Sequence, residues 1–206
     1  GVEWLVKDGT QLELAATGDA DVRMTVMRTG TEANLTNSGT AQTINYATGA
    51  ATGAGETLAT SGEDFTAANG TLTFASTTVN EALDATETTI TLTSAANFAT
   101  GGGVVTIENE DISYSGITGN DLTGVVRGIN GTTAATHADK KAANETGVYV
   151  DVVSTHDTAS EIAENFAVTL SSASAGTITD ATGIGTIIDN DANTIKYGNA
   201  HSHRYR

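Results

Sequence analysis

The sequence predicts an all-β protein, a sandwich within that class, on three observations. Apolar residues recur two apart in short runs, no segment sustains a 3.6-residue apolar period, and the composition suits strands and tight turns. Of 206 residues, 38 are Thr, 31 Ala and 23 Gly, with neither Pro nor Cys. Branched Thr favours extended backbone, and Gly supplies turn positions.

Val2, Trp4 and Val6 alternate, Asp8-Gly9 signals a turn, and Leu12 and Leu14 alternate again, which reads as an opening hairpin or a pair of strand halves. Val22, Met24 and Val26 form the next strand, closed by Arg28-Thr29-Gly30, and a polar stretch leads to Thr43–Tyr46. Residues 48–63 show no period and read as a long loop, followed by a strand at Gly70–Phe74. Later strands are read at Val148/Val150/Val152, Phe166/Val168/Leu170 and Ile184/Thr186/Ile188. Residues 158–165 allow one helical turn at most. Between Phe74 and Val148, residues 80–146 carry about five short strands of their own with tight turns, enough for a small β module that leans on its parent. The expected organisation is therefore a split sandwich of residues 1–79 plus 147–191, an inserted module at 80–146 and a basic tail at 192–206.

Twenty-five acids against nine bases give a formal charge of −16, which argues against nucleic acid and anionic membrane surfaces as partners. No apolar run approaches the ~20 residues that span a bilayer. Without Cys there is no disulfide, thiolate ligand or thiol nucleophile. A start at Gly1 fits a processed export product as readily as an expression product.

Topology gives the acids a test. In an antiparallel sandwich successive loops alternate between the two ends. If the strand at 70–75 begins at the near end, Glu63 and Asp64 lie there. The module falls at the far end, and the strand at 148–153 returns to deliver Asp157, Glu161 and Glu164 near. The last strand brings Asp189 and Asp191 to the same end, and the early strands add Asp19 and Asp21. Carboxylates gathered on one rim repel unless a counter-charge joins them. Oxygen donors on loops, with no Cys and little His, suit Ca²⁺ rather than zinc or copper. The competing reading is that these acids are solvated charge on an extracellular β protein.

The same residues carry a family resemblance. Gly62-Glu63-Asp64-Phe65 with Gly70–Phe74, the Glu161–Leu170 stretch, Gly183–Asp191 and Val26–Gly30 resemble four ordered motifs of Calx-beta domains, over residues 17–78 and 146–191. The resemblance implies an immunoglobulin-like antiparallel β-sandwich of seven strands, usually extracellular in bacteria, that binds Ca²⁺ at one rim. Position by position it implies Asp64, Asp157, Glu161, Glu164, Asp189 and Asp191 as ligands. Two positions depart from the pattern: Thr17 stands where a Glu is usual, with Asp19 the nearest substitute, and His156 stands where an Asp often precedes Asp157. The inserted stretch is similar to small β modules of phage and bacterial surface proteins, a likeness that names no activity.

Enzymatic signatures are absent. There is no G-x-S-x-G elbow, Gly101–Gly103 lacks the Lys-Ser/Thr of a phosphate loop, and His137 and His156 read as surface residues. Aromatic residues, the usual sugar platforms, are 5% of the chain. The expected function is that of an exported, cell-surface structural protein, not an enzyme: a Ca²⁺-stabilised sandwich whose terminal strands, Val2–Val6 and Asn193–Tyr197, join copies into a filament or surface array. The alternative is a binding module of a larger adhesin that presents a surface to a glycan or cell-surface ligand.

Overall fold

The computed structural model describes residues 1–12, 20–36, 40–52, 57–156, 158, 160–189 and 191. Sixteen strands and one short helix occur among them. In chain order they are β1 (Glu3–Lys7), β2 (Gly9–Leu12), β3 (Ala20–Thr29), α1 (Glu32–Thr36), β4 (Gln42–Ala50), β5 (Asn69–Phe74) and β6 (Ser76–Thr78). Then follow β7 (Thr89–Thr91), β8 (Gly103–Ile107), β9 (Glu110–Tyr114), β10 (Gly116–Thr118), β11 (Asp121–Thr123) and β12 (Val126–Ile129). The last are β13 (Ala142–Ser154), β14 (Glu164–Ser171), β15 (Thr177–Asp180) and β16 (Thr182–Ile188).

Apolar alternation accounts for where the strands lie. In β1 Trp4 and Val6 are buried between exposed Glu3 and Lys7, as a strand with one face on a core requires. The largest sheet runs β12-β9-β8-β13-β3-β1-β15, with β6 also pairing β13; a second runs β2-β16-β14-β4-β5, and a third, of three strands, runs β10-β11-β7. Trp4, Met24, Val26, Val150 and Val152 from the first sheet meet Ile44, Phe74, Phe166, Val168 and Ile187 from the second in one buried cluster. Trp4 packs edge-on against Phe74 at 5.0 Å between ring centres, and Phe65 stacks on Phe166 at 4.8 Å. The fold is an all-β sandwich.

Of the two readings of the opening segment, the pair of strand halves is the one present: β1 pairs β3 and β15, whereas β2 crosses to the opposite sheet and pairs β16. Gly9 permits the crossing, because a Cβ there would sit 2.5 Å from the Arg23 carbonyl oxygen. The pairings β1–β15 and β2–β16 are parallel, so the sheets are antiparallel except at two edges. Val2–Val6 is thus no spare strand, since both its neighbours belong to the same chain; Asn193–Tyr197 lies outside the described residues. In the polar stretch after Gly30, α1 forms one turn around buried Leu35, too short to register as a period. Residues 161–163 carry no helix.

The inserted residues build a second core together with Ala75 and Val79 of the preceding segment. Leu83, Ile90, Leu92, Val105, Ile107, Ile112, Tyr114 and Leu122 cluster with them apart from the sandwich interior. Yet β13 is continuous across position 146/147: Ala142–Asn144 pair β6, Ala143–Val148 pair β8, and Gly147–Ser154 pair β3. A buried polar node lies at this passage. Glu145 is fully buried and accepts from the Tyr114 hydroxyl (2.5 Å) and the amides of Ala99 (2.9 Å) and Ala75 (3.1 Å). Its carbonyl accepts from Arg28, itself fully buried, which also donates to Gln42 and to the Leu35 and Ala75 carbonyls. One strand and one side-chain node therefore fasten the two cores.

His137 is not a surface residue. It is 4% exposed, with Nδ1 2.8 Å from Glu108 and Nε2 2.8 Å from Glu110. Glu110, 1% exposed at its side chain, is also gripped by Arg127 through two bonds of 2.7 and 2.8 Å and by the amides of Gly128 and Ala135. Burial alone would raise the Glu110 carboxyl, but Arg127, His137 and the Ala135 amide outweigh it and hold the group down to about 2.

Candidate metal centre

Asp64 is placed by a tight turn. Its amide donates to the Thr60 carbonyl at 2.9 Å, while its own Oδ2 accepts the Thr60 amide at 2.5 Å. The carbonyl of Asp64 then takes the Thr155 amide at 2.9 Å, and the Thr66 amide reaches Val153. Buried Phe65, stacked on Phe166, anchors the turn to the core. The acid turn is thus stitched to the end of β13.

Glu164 opens β14 opposite Ile187, and Glu161 lies in the loop just before it. That loop is tied to the end of β16: Asp189 Oδ2 accepts the Glu161 amide and its Oδ1 accepts the Asp191 amide, both at 2.7 Å. Asp189 therefore spends both oxygens organising backbone, a role that strand order alone does not reveal.

Asp64, Glu161, Glu164 and Asp189 line one shallow recess, together with Thr155, Ile162 and Ile187. Within it Asp64, Glu161 and Glu164 each offer an oxygen, all within 4.8 Å of one another. Asp189 and Asp191 stand outside that three-carboxylate group, and Asp157 and Asp19 lie outside the described residues. Asp21, at the start of β3, pairs with Val153 of β13.

Two unit charges ~5 Å apart repel by roughly 1 kcal/mol in bulk water and by about 3 kcal/mol at an effective dielectric near 20. The recess offers oxygen only, the donor set of hard cations. Oxygens bound to a single Ca²⁺ at about 2.4 Å lie no more than ~4.8 Å apart, so the group fits that ion. Outside that group, the buried Oδ2 of Asp191 meets no hydrogen-bond donor among the described residues, which costs free energy unless something positive approaches. Thr155, Ile162 and Ile187 are neighbours of the acids that no sequence signal marks.

No family model matches the chain, and no curated protein matches it. Solved structures similar to it are Calx calcium-binding-domain structures of low identity. A Calx CBD1 domain in its apo form aligns at 14% identity and a TM-score of 0.42, covering 92% of this chain and 98% of that one. CBD12 from CALX1.2 aligns at 16% identity and a TM-score of 0.43, over 92% of this chain and 46% of that one. The calcium binding domain CBD12 of CALX1.1 aligns at 13% and 0.41, over 93% and 45%.

Proposed function

We propose that this chain is a calcium-braced β-sandwich from an exported structural protein, without enzymatic activity. The single observation that carries the reading is the convergence to within 4.8 Å of Asp64, from one turn, with Glu161 and Glu164, from the loop before β14 and its first residue. Those three carboxylates would hold the ion, with Asp189 positioning the Glu161 loop and Asp191 available from the end of β16. The ion would supply the counter-charge that lets the loops close, so occupancy is coupled to rigidity of this end of the sandwich.

The wider reading is a subunit that joins its own copies at the cell surface. It is supported by sheet edges at β2, β5, β12 and β15, the ends of the two larger pairing orders among the described residues, because unpaired edges accept added strands. The separate core of the inserted residues favours the second reading, an adhesin module presenting them to a cell-surface ligand.

Titration of metal-stripped protein with CaCl₂ by calorimetry, paired with melts in chelator, tests the metal. A ligand at 100-fold its dissociation constant stabilises by about 2.7 kcal/mol, and Glu161→Gln with Glu164→Gln should abolish that gain. Equal melts with calcium and with chelator would refute the brace.

A further inference from the structure

The five-stranded sheet has an outer face without a charged side chain among its described residues. Ile44, Phe74, Phe166, Val168, Leu170 and Ile187 point into the core, so the residues between them on the same strands point out. Those outward positions on β2, β16, β14, β4 and β5 are Thr, Ser, Asn, Ala, Gly, Leu or Ile throughout. Registered rows cross the sheet: Thr182, Thr169, Ala47 and Asn69 form one, and Leu12 beside Ile188 forms another. Leu12 and Ile188 are 52% and 38% exposed, two of the exposed large hydrophobic residues gathered in one place. Asp8, which precedes β2, turns an oxygen to the Ile184 amide at 2.8 Å. The opposite sheet contrasts with this: its outer face carries Glu3, Lys7 and the Arg23–Asp151 ion pair.

We infer that this face is a docking surface for a second copy of the same chain, packed sheet against sheet about a two-fold axis. On a body of net charge −16, two copies approach with least repulsion through a neutral face, whereas a basic partner would seek the acidic surfaces instead. Thr, Ala, Ser and Gly lose little side-chain freedom on contact and allow two sheets to close to the ordinary ~10 Å spacing. A two-fold places the same surface on both sides, so a neutral patch meets a neutral patch. Five strands ~4.8 Å apart and about 20 Å long present roughly 500 Å² per copy. The pair then buries roughly 1,000 Å², the lower bound for a specific interface. The surface is distinct from the acidic rim, and this inference stands whether or not the rim binds calcium.

Sedimentation of the full chain tests it, with chelator present so that the rim metal plays no part. The expected result is a monomer–dimer equilibrium that tightens at least about tenfold as NaCl rises from about 50 to about 500 mM, because salt screens the repulsion between copies. Ala47→Glu with Thr169→Glu should weaken dimerisation at least about tenfold. Lys7→Glu, which changes net charge by the same two units on the opposite sheet, should leave the neutral-face contact in place. Since the chain has no cysteine, Thr169→Cys and Lys7→Cys provide single crosslinking probes should the charged variant fail to fold; only the first should join copies. A monomer at about 1 mM in high salt, crosslinking through Lys7→Cys alone, or equal weakening by Lys7→Glu would overturn the inference.

Discussion

Substitution of Glu145 by Gln should change how stability depends on pH, with a sign fixed by the buried node. Burial pushes this carboxyl from its ordinary 4.5 up to about 7, against the Tyr114 hydroxyl, the Ala99 and Ala75 amides and the Arg28 charge, which all pull it down. In the unfolded chain the group titrates near its ordinary value. Between these two pH values the folded chain holds a proton that the unfolded chain has released. The contribution is therefore fully present below pH 4.5 and is lost as pH rises through about 7. At 1.36 kcal/mol per unit, a shift of this size is worth about 3 kcal/mol. Arg28, lowered to about 10 by burial, keeps its charge through this window, and Tyr114, raised by burial and the neighbouring carboxylate, stays neutral. The substituted amide cannot titrate. It also turns its N–H₂ towards an N–H donor such as that of Ala75, a pH-independent cost of about 1–3 kcal/mol. The stability of Glu145→Gln relative to the parent should therefore rise by about 3 kcal/mol between pH 4.5 and 7.5, from a deficit in acid towards parity. Urea melts of both chains across that range cancel every other acid in the difference. A difference curve flat to within about 1 kcal/mol would show that the node does not hold Glu145 as described.

Two other substitutions separate the two cores. Arg127→Met removes the cation gripping buried Glu110 and should cost about 3–5 kcal/mol; amide exchange should quicken through β8, β9 and β12 while β3, β4 and β14 keep their protection. Gly185→Val is aimed at the sandwich, where a Cβ would lie 2.2 Å from the Phe166 ring. Overpacking of about 1–3 kcal/mol should lower the melting temperature by several degrees, and Phe166→Leu in the same chain should restore part of it.

The strands of the sandwich are legible in the sequence because each buries alternate side chains, and a period of two survives as Trp4/Val6 or Phe166/Val168/Leu170. That the loops carrying Asp64, Glu161 and Glu164 reach the same end is legible for a different reason: chain reversal alone assigns loops to ends. What cannot be read is any feature set by a single contact. The crossing at Gly9 depends on its clearance from the Arg23 carbonyl, and β13 passes through the expected 146/147 boundary because Gly147 and Glu145 pair on both sides of it. His137 reads as polar surface from its neighbours in sequence and is buried by Glu108 and Glu110, nearly thirty residues earlier.

By itself, then, the amino-acid order determined an all-β chain, the positions of its main strands and a surplus of acid. Those properties follow from local side-chain alternation and from net charge, which need no knowledge of distant neighbours. Only the tertiary structure decided which acids share a recess, that Asp189 secures backbone with both oxygens, that two cores meet on one long strand, and that one sheet face carries no charge among its described residues. Each of these depends on register between strands far apart in the chain, and register is chosen by packing across the sandwich rather than by any residue alone.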